Sequence, residues 1–126
     1  CLHVLRHNST VKCVALGEDE GEVLTACADG TVQMWGAAEG ERTAELGAHS
    51  DVVLCMAADF AGARRAATGS RDSSVVVWCL RGLRPLHVLR GHTAPVLCVH
   101  MDDRLLMSGG KDGTLRVYDC DPDGDE

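Results

Sequence analysis

The sequence of 126 residues contains no long apolar run and no basic segment followed by an apolar one. We therefore expect neither a transmembrane helix nor a signal peptide within it. Basic residues are also few, since 12 Lys and Arg stand against 19 Asp and Glu for a formal net charge of -7. Surfaces that bind nucleic acid are normally basic. We therefore expect no nucleic acid and no membrane among the partners.

Motifs for metal and phosphate binding are missing as well. None of the seven cysteines belongs to a C-x-x-C pair. His3 with His7, or Cys79 with Cys120, lacks the ligand number and spacing of a zinc site. Gly109-Gly110-Lys111 lies in a predicted hairpin and not ahead of a helix, where a phosphate-binding loop would stand. We expect no metal and no cofactor.

The sequence does contain one residue pattern that is repeated three times. Each copy has a His, an apolar strand, a Ser or Thr, an Asp and then an aromatic residue. Equivalent positions are about 40 residues apart, a period that indicates one repeated supersecondary unit. The recurring residues are His7, Thr25, Asp29 and Trp35, then His49, Thr68, Asp72 and Trp78, then His92, Ser108, Asp112 and Tyr118.

Nearly every segment between these residues is predicted to be a short β-strand, and none has a sustained helical period. Asp29-Gly30, Asp72-Ser73 and Asp112-Gly113 predict tight hairpin turns. Three mostly apolar runs are expected to be strands buried on both faces; they are Val11–Leu16, Val52–Ala58 and Val96–Met101. The other predicted strands are Leu2–Arg6, Glu22–Ala28, Thr31–Trp35, Thr43–Leu46, Arg65–Ser70, Val75–Trp78, Leu86–Arg90, Leu105–Gly109 and Thr114–Asp119.

The sequence resembles the WD-repeat β-propellers over nearly its whole length. Repeats of that family open with Gly-His, keep an Asp in a hairpin and close with Trp-Asp. Gly91-His92 matches the opening in full, Trp35-Gly36 and Trp78-Cys79 keep the closing Trp, and Tyr118-Asp119 keeps the closing Asp. The resemblance implies an all-β fold with three WD repeats, at about residues 1–42, 43–85 and 86–119, and an acidic tail at 120–126.

Propellers typically have four to eight blades. We therefore expect an open three-blade arc of a larger ring. The sequence begins without Met, in strand-like residues, and we expect it to come from a longer protein.

The resemblance also implies a role for the twelve recurring residues. In the family they form a buried hydrogen-bonded tetrad in each blade, and a buried Asp does need such partners. A His beside an Asp would equally suit general-base catalysis. Because an active site is normally built once, three copies favour a structural role and no enzymatic activity.

Cys13, Cys55 and Cys98 recur at one position of the repeat, beside apolar neighbours. A buried free cysteine behaves as a small apolar residue. We expect these thiols to be buried, and a reducing compartment, the cytoplasm or the nucleus, fits them.

Partner binding is expected at the residues that precede each hairpin Asp, which are Ala28, Arg71 and Lys111. In the propeller resemblance they lie on the top face near the central channel, where partner peptides dock. Arg71 looks like the arginine that some F-box propellers use on a phosphorylated peptide, since guanidinium binds phosphate in bidentate geometry. The alternative for Arg71 is a solvated turn residue. Arg81 stands where a W-D-x-R ending would contact a cullin-ligase adaptor, although Cys79 replaces the Asp.

We therefore expect a scaffold for protein–protein interactions within a larger protein. The alternative is the substrate receptor of a ubiquitin ligase that binds a phosphopeptide. The remaining propeller blades, or another copy of the chain, would complete the array. Leu86–Arg90 repeats Leu2–Arg6 letter for letter, so one copy could supply an outer strand to another.

Overall fold

Eleven β-strands make up the described part of the protein. The computed structural model describes residues 4–17, 21–36, 40–47, 49–59, 64–80, 84–101 and 105–119, and no residue in these ranges is helical. The strands are β1 (Val11–Leu16), β2 (Glu22–Cys27), β3 (Thr31–Gly36), β4 (Glu41–Gly47), β5 (Val53–Asp59), β6 (Arg65–Ser70), β7 (Ser74–Cys79), β8 (Arg84–Arg90), β9 (Val96–Met101), β10 (Leu105–Gly110) and β11 (Leu115–Asp119).

The strands form three antiparallel sheets in chain order. The first sheet contains β1–β4, the second β5–β8 and the third β9–β11. Within each sheet, neighbours in sequence are also neighbours in space, so that hairpins join them. The expected all-β fold and its threefold repetition are therefore confirmed.

Apolar side chains hold the three sheets face to face. Successive side chains of a strand point to opposite faces, and β7 uses both. Val76 and Trp78 pack against the first sheet, whereas Val75 and Val77 pack against the third. The buried residues of the first core are Leu24, Ala26, Val32, Met34, Val53, Ala66, Val76, Trp78 and Leu80. Those of the second are Ala67, Val75, Val77, Val96, Met101 and Leu106.

The first strand of each sheet is less buried than expected. Residues of β1 alternate between exposed and half-buried, and Leu97 and Cys98 of β9 are exposed. Each of these strands is an edge strand with a hydrogen-bonded neighbour on one side only. In β1 and β9 one face packs on a neighbouring sheet while the other stays open, whereas both faces of β5 pack on a neighbour and are mostly half-buried. The expectation that all three runs are buried on both faces was therefore wrong for Val11–Leu16 and Val96–Met101, and only Val52–Ala58 comes close to it.

The predicted strand at Leu2–Arg6 is also corrected. Residues 1–3 lie outside the described ranges, and Val4–Arg6 belongs to no strand. An extended segment becomes a strand only when its backbone pairs with a neighbour. The identical segment Leu86–Arg90 does so, because it lies in β8 beside β7.

The three recurring cysteines differ in exposure. Cys13 and Cys55 are half-buried, whereas Cys98 is exposed, so the expected burial of all three thiols was wrong for Cys98. Desolvation raises the pKa of Cys55 to about 12, and the neighbouring thiols of Cys13 and Cys98 act in the same direction. Cys13 and Cys55 each pack against a core between two sheets, whereas Cys98 packs against neither of the two cores.

Cys55 is expected to react with iodoacetamide at pH 8 at least about tenfold more slowly than Cys98, because only the thiolate reacts. With its pKa raised to about 12, Cys55 carries almost no thiolate at that pH. A labelling time course read by mass spectrometry measures both rates. In denaturant the two cysteines should label at similar rates, and equal rates in the folded chain would contradict the assigned burial.

The hairpins that join the second and third strands of each sheet share one turn geometry. The backbone N–H of Gly30, Ser73 and Gly113 donates to the carbonyl three residues earlier, at 3.1 Å in each turn. All three residues have positive φ, at 89°, 76° and 85°. Glycine adopts this conformation freely, whereas a side chain is strained there. Ser73 is therefore the strained member of the set.

Replacing Ser73 with glycine is expected to stabilise the protein by about 1 kcal/mol, since it relieves the left-handed strain. The matched control is Gly113→Ser, which should destabilise by a similar amount. A Cβ at Gly113 would meet nothing within 4 Å, so this control measures the backbone alone. Urea unfolding curves give both values, and a loss of stability in Ser73→Gly would argue against the strain.

Candidate functional site

The candidate site is the end of the sheets that carries the three hairpins. The backbone N–H of Ala28, Arg71 and Lys111 donates to a carbonyl in the segment ahead of β1, β5 and β9, at 2.8, 3.0 and 2.9 Å. The acceptors are Thr10, Val52 and Pro95. These bonds fix Ala28, Arg71 and Lys111 at the same place in each sheet. We call the surface formed by these three residues the hairpin face.

The second sheet carries a complete chain of hydrogen bonds below this face. His49 Nδ1 lies 3.2 Å from Asp72 Oδ2 and His49 Nε2 lies 2.8 Å from Thr68 Oγ1. The indole Nε1 of Trp78 donates to the same hydroxyl at 3.0 Å. These are the four residues that recur in the sequence.

The protonation of His49 follows from its partners. Because a carboxylate can only accept, Nδ1 carries the proton that is donated to Asp72. In the neutral ring Nε2 is then an acceptor, and Thr68 donates to it while accepting from Trp78. Burial lowers the pKa of His49 below its ordinary value of 6.5, although Asp72 opposes this. The imidazole is therefore neutral near pH 7.

Asp72 is held as a carboxylate. Burial alone would raise its pKa, but hydrogen bonds from the Ser74 hydroxyl, the backbone N–H groups of Ser50 and Ser74, and the nearby His49 together lower it to about 2. The Ser50 and Ser74 backbone bonds measure 3.0 and 2.9 Å. A carboxylate with this many donors ties the hairpin to the segment ahead of β5.

In the third sheet, the hydrogen bonds from the Asp through the His to the hydroxyl residue are formed, but the aromatic residue is not connected. His92 Nδ1 lies 3.2 Å from Asp112 Oδ2, and His92 Nε2 lies 2.8 Å from Ser108 Oγ. Tyr118 makes no hydrogen bond to Ser108 in the described structure; its ring packs beside the second core. The phenol replaces an indole N–H, and its oxygen lies at a different distance along the side chain. The aromatic member expected in this tetrad is therefore not connected to it.

In the first sheet, the hydrogen bonds from the His through the Thr to the Trp are formed, but the Asp is not connected. His7 Nε2 lies 2.9 Å from Thr25 Oγ1, and Trp35 Nε1 donates to that hydroxyl at 3.3 Å. The rings of His7 and Trp35 also contact each other, with centroids 4.9 Å apart. Asp29 is exposed, and its carboxylate accepts from Thr31 without a hydrogen bond to His7 among the described residues. The expected His7–Asp29 pair is thus not formed.

Burial removes two of the three recurring histidines from solvent. The side chains of His49 and His92 are 0% and 1% exposed, so neither reaches a substrate from solvent. Groups of three or more His, Cys, Asp or Glu able to hold a metal ion are absent from the described ranges. No helix in this part of the chain is long and apolar enough to cross a membrane.

The hairpin face carries two exposed cations. The Arg71 side chain is 59% exposed, and its Nε lies 3.3 Å from Asp51 Oδ2. Lys111 is exposed as well, whereas Ala28 adds no charge. A single exposed ion pair of this kind contributes little stability, so Arg71 can exchange Asp51 for another anion. Arg81, Cys120 and the acidic tail lie outside the described residues.

Two features of the site were not anticipated from the sequence. Asp51 was not named as the partner of Arg71. The hydroxyl residues two positions after each hairpin Asp were also missed; they are Thr31, Ser74 and Thr114, and each donates to its Asp. Their recurrence at the repeat period was the signal that could have identified them.

Comparison with known proteins agrees with this geometry. The sequence matches the family described as WD domain, G-beta repeat over residues 1–36, 40–79 and 83–119. The chain therefore belongs to the WD-repeat family. Propellers of this family are typically non-enzymatic scaffolds that bind protein partners.

Two curated relatives cover most of the chain. The DENN domain and WD repeat-containing protein SCD1 of Arabidopsis thaliana is 36% identical over 89% of this chain and 9% of that protein. The apoptotic protease-activating factor 1 of Homo sapiens is 30% identical over 94% of this chain and 10% of its own length. The chain thus spans a tenth or less of these relatives.

A solved structure shows the same fold. The crystal structure of RRP9 WD40 repeats superimposes with a TM-score of 0.85 at 23% identity, covering 92% of this chain and 37% of that one. The three sheets of this protein are therefore WD-repeat propeller blades.

Replacing Asp72 with alanine is expected to cost about 1–3 kcal/mol, because buried donors lose their acceptor. Asp29→Ala is the matched control and should cost less than about 0.5 kcal/mol, as for an exposed residue. Thermal and urea unfolding measure both. The lowered pKa means that the contribution of Asp72 is present above pH 3.8 and is lost as the pH falls through about 2. Equal losses in the two variants would argue against the assigned network.

Proposed function

We propose that the chain is a scaffold for protein–protein interactions that catalyses no reaction and presents its hairpin face to peptide or protein partners. The observation that supports this most directly is the placement of Arg71 and Lys111. Their backbones are fixed by equivalent hydrogen bonds of 3.0 and 2.9 Å, while their side chains point into solvent. Two cations held at matching positions suit an acidic peptide segment.

The narrower proposal is a substrate receptor of a ubiquitin ligase that binds a phosphopeptide. It is supported by the exposed guanidinium of Arg71, whose fork of donors matches phosphate oxygens. Asp51 currently accepts from Nε at 3.3 Å, and a phosphate would displace it. An acidic but unphosphorylated partner would serve the general scaffold equally well, so the two proposals differ in what the peptide carries.

We place this scaffold in the cytoplasm or the nucleus. The described cysteines Cys13, Cys27, Cys55, Cys79 and Cys98 are all free thiols, as a reducing compartment would keep them. Further propeller blades, or another copy of the chain, would cover the faces at the two ends of the array.

An array of acidic peptides, each printed with and without phosphoserine, tests both proposals. Arg71→Ala and Lys111→Ala should each weaken binding by about tenfold or more, since a charge-assisted hydrogen bond contributes about 1.5–3 kcal/mol. Arg42→Ala is the matched control, because Arg42 is also exposed and also pairs with one carboxylate, Glu45 at 3.0 Å.

Binding that requires phosphoserine would support the substrate receptor, and binding to both forms would support the general scaffold. Peptide binding that survives both substitutions at the hairpin face would contradict its role.

A further inference from the structure

The interface between neighbouring sheets is built twice from the same repeat positions. On one side, the third strand contributes the residues three and five positions after the hairpin Asp: Val32 and Met34 in the first sheet, Val75 and Val77 in the second. These residues are 0–7% exposed. We call this surface the leading face of a sheet.

On the other side, the edge strand of the following sheet contributes the residues four, seven and nine positions after the His. They are Val53, Met56 and Ala58 against the first sheet, and Val96, Val99 and Met101 against the second. Val53 and Val96 are completely buried. We call this surface the trailing face of a sheet.

One copy of each face is left uncovered in the described structure. The leading face of the third sheet exposes Leu115 and Val117, at 65% and 56%. The trailing face of the first sheet exposes Val11, Val14 and Leu16, at 43%, 66% and 67%. All five residues occupy the repeat positions that are buried or half-buried in the two formed interfaces, and all five are apolar.

The hairpin turns also differ between a sheet that is covered by a following sheet and one that is not. A Cβ at Gly30 would meet the carbonyl oxygen of His49 in the next sheet at 2.2 Å, and His49 N–H donates to the Gly30 carbonyl at 3.2 Å. At the equivalent Gly113 a Cβ would meet nothing within 4 Å. The third sheet therefore has space where the first sheet receives the loop of its neighbour.

We infer that two copies of the chain associate head to tail, with the leading face of each third sheet covered by the trailing face of the other first sheet. The two faces that a single molecule exposes are the two halves of an interface that it already forms twice. Different surfaces meet at each contact, so the interface is heterologous, and such contacts form a ring when the rotation closes. Two copies give six sheets, within the range of closed propellers.

The open edge of the third sheet is consistent with this arrangement. Its described strands end at β11, whereas the second sheet adds β8 beside β7. The sequence of Leu86–Arg90 in β8 is repeated at Leu2–Arg6. In the paired copy the described residues Val4–Arg6 precede the trailing face, and their sequence is that of Val88–Arg90 in β8. Pairing would also cover an exposed edge that otherwise invites aggregation.

Size-exclusion chromatography with light scattering on the whole chain tests the inference. We expect the wild type to elute with twice its chain mass of 13.4 kDa. Val14→Asp and Leu115→Asp, which disrupt opposite faces, should each be monomeric. An equimolar mixture of the two variants should recover a dimer through one intact contact, which joins the leading face of Val14→Asp to the trailing face of Leu115→Asp. Val88→Asp is the control, since Val88 is 50% exposed on the outer strand β8, and it should leave the dimer intact.

Any of the following outcomes would overturn the inference. A wild-type monomer at 100 µM would assign both faces to further blades of a longer chain. A dimer in Val14→Asp alone would indicate a symmetric contact between leading faces, and steady growth in mass would indicate an open filament. Circular dichroism shows whether each variant is folded, and a folded pair that fails to recombine also overturns it.

This inference deepens the scaffold proposal because it names a partner, but its test is separate. Arg71 and Lys111 lie outside both faces, so Arg71→Ala should dimerise normally. Loss of peptide binding without loss of association would contradict the proposed function alone.

Discussion

The Thr68 hydroxyl holds the second sheet together at its centre. It accepts a hydrogen bond from the Trp78 indole at 3.0 Å and lies 2.8 Å from His49 Nε2. The contact with Thr68 orients the His49 ring so that its Nδ1 faces Asp72. Each partner comes from a different part of the repeat, so a shift of register by one residue would leave several buried polar groups unpaired. The network thereby fixes the register that lets β7 direct Trp78 to one core and Val77 to the other.

The partial networks in the neighbouring sheets show what each member contributes. The first sheet keeps the link from His7 through Thr25 to Trp35 but leaves Asp29 in solvent. The third sheet keeps the link from Ser108 through His92 to Asp112 but has no indole. Both sheets still form, since apolar packing between sheets supplies most of the burial. The complete network belongs to the sheet that is packed on both faces.

Our two proposals assign different kinds of recognition to the hairpin face and to the leading and trailing faces. In the second and third sheets the hairpin carboxylates Asp72 and Asp112 accept hydrogen bonds below the surface, and the cations Arg71 and Lys111 beside them stay exposed. The uncovered leading and trailing faces present apolar residues at the repeat positions that form the two interfaces within the chain. In the two proposals, partner binding and assembly therefore use different surfaces of one repeat array.

The repeat period alone determined much of this protein. It predicted the all-β fold, all eleven described strands to within about two residues at each end, and the recurring residues that meet in the second sheet. These features depend on local periodicity and turn chemistry, which each repeat carries in full. Only the tertiary structure decided which copies are complete, because each hydrogen bond of the tetrad depends on where two distant segments lie. His49 reaches Asp72, for example, whereas His7 does not reach Asp29. The tertiary structure also decided that Cys98 is exposed while Cys55 is half-buried, since the burial of an edge strand depends on the sheet beside it and not on its own sequence.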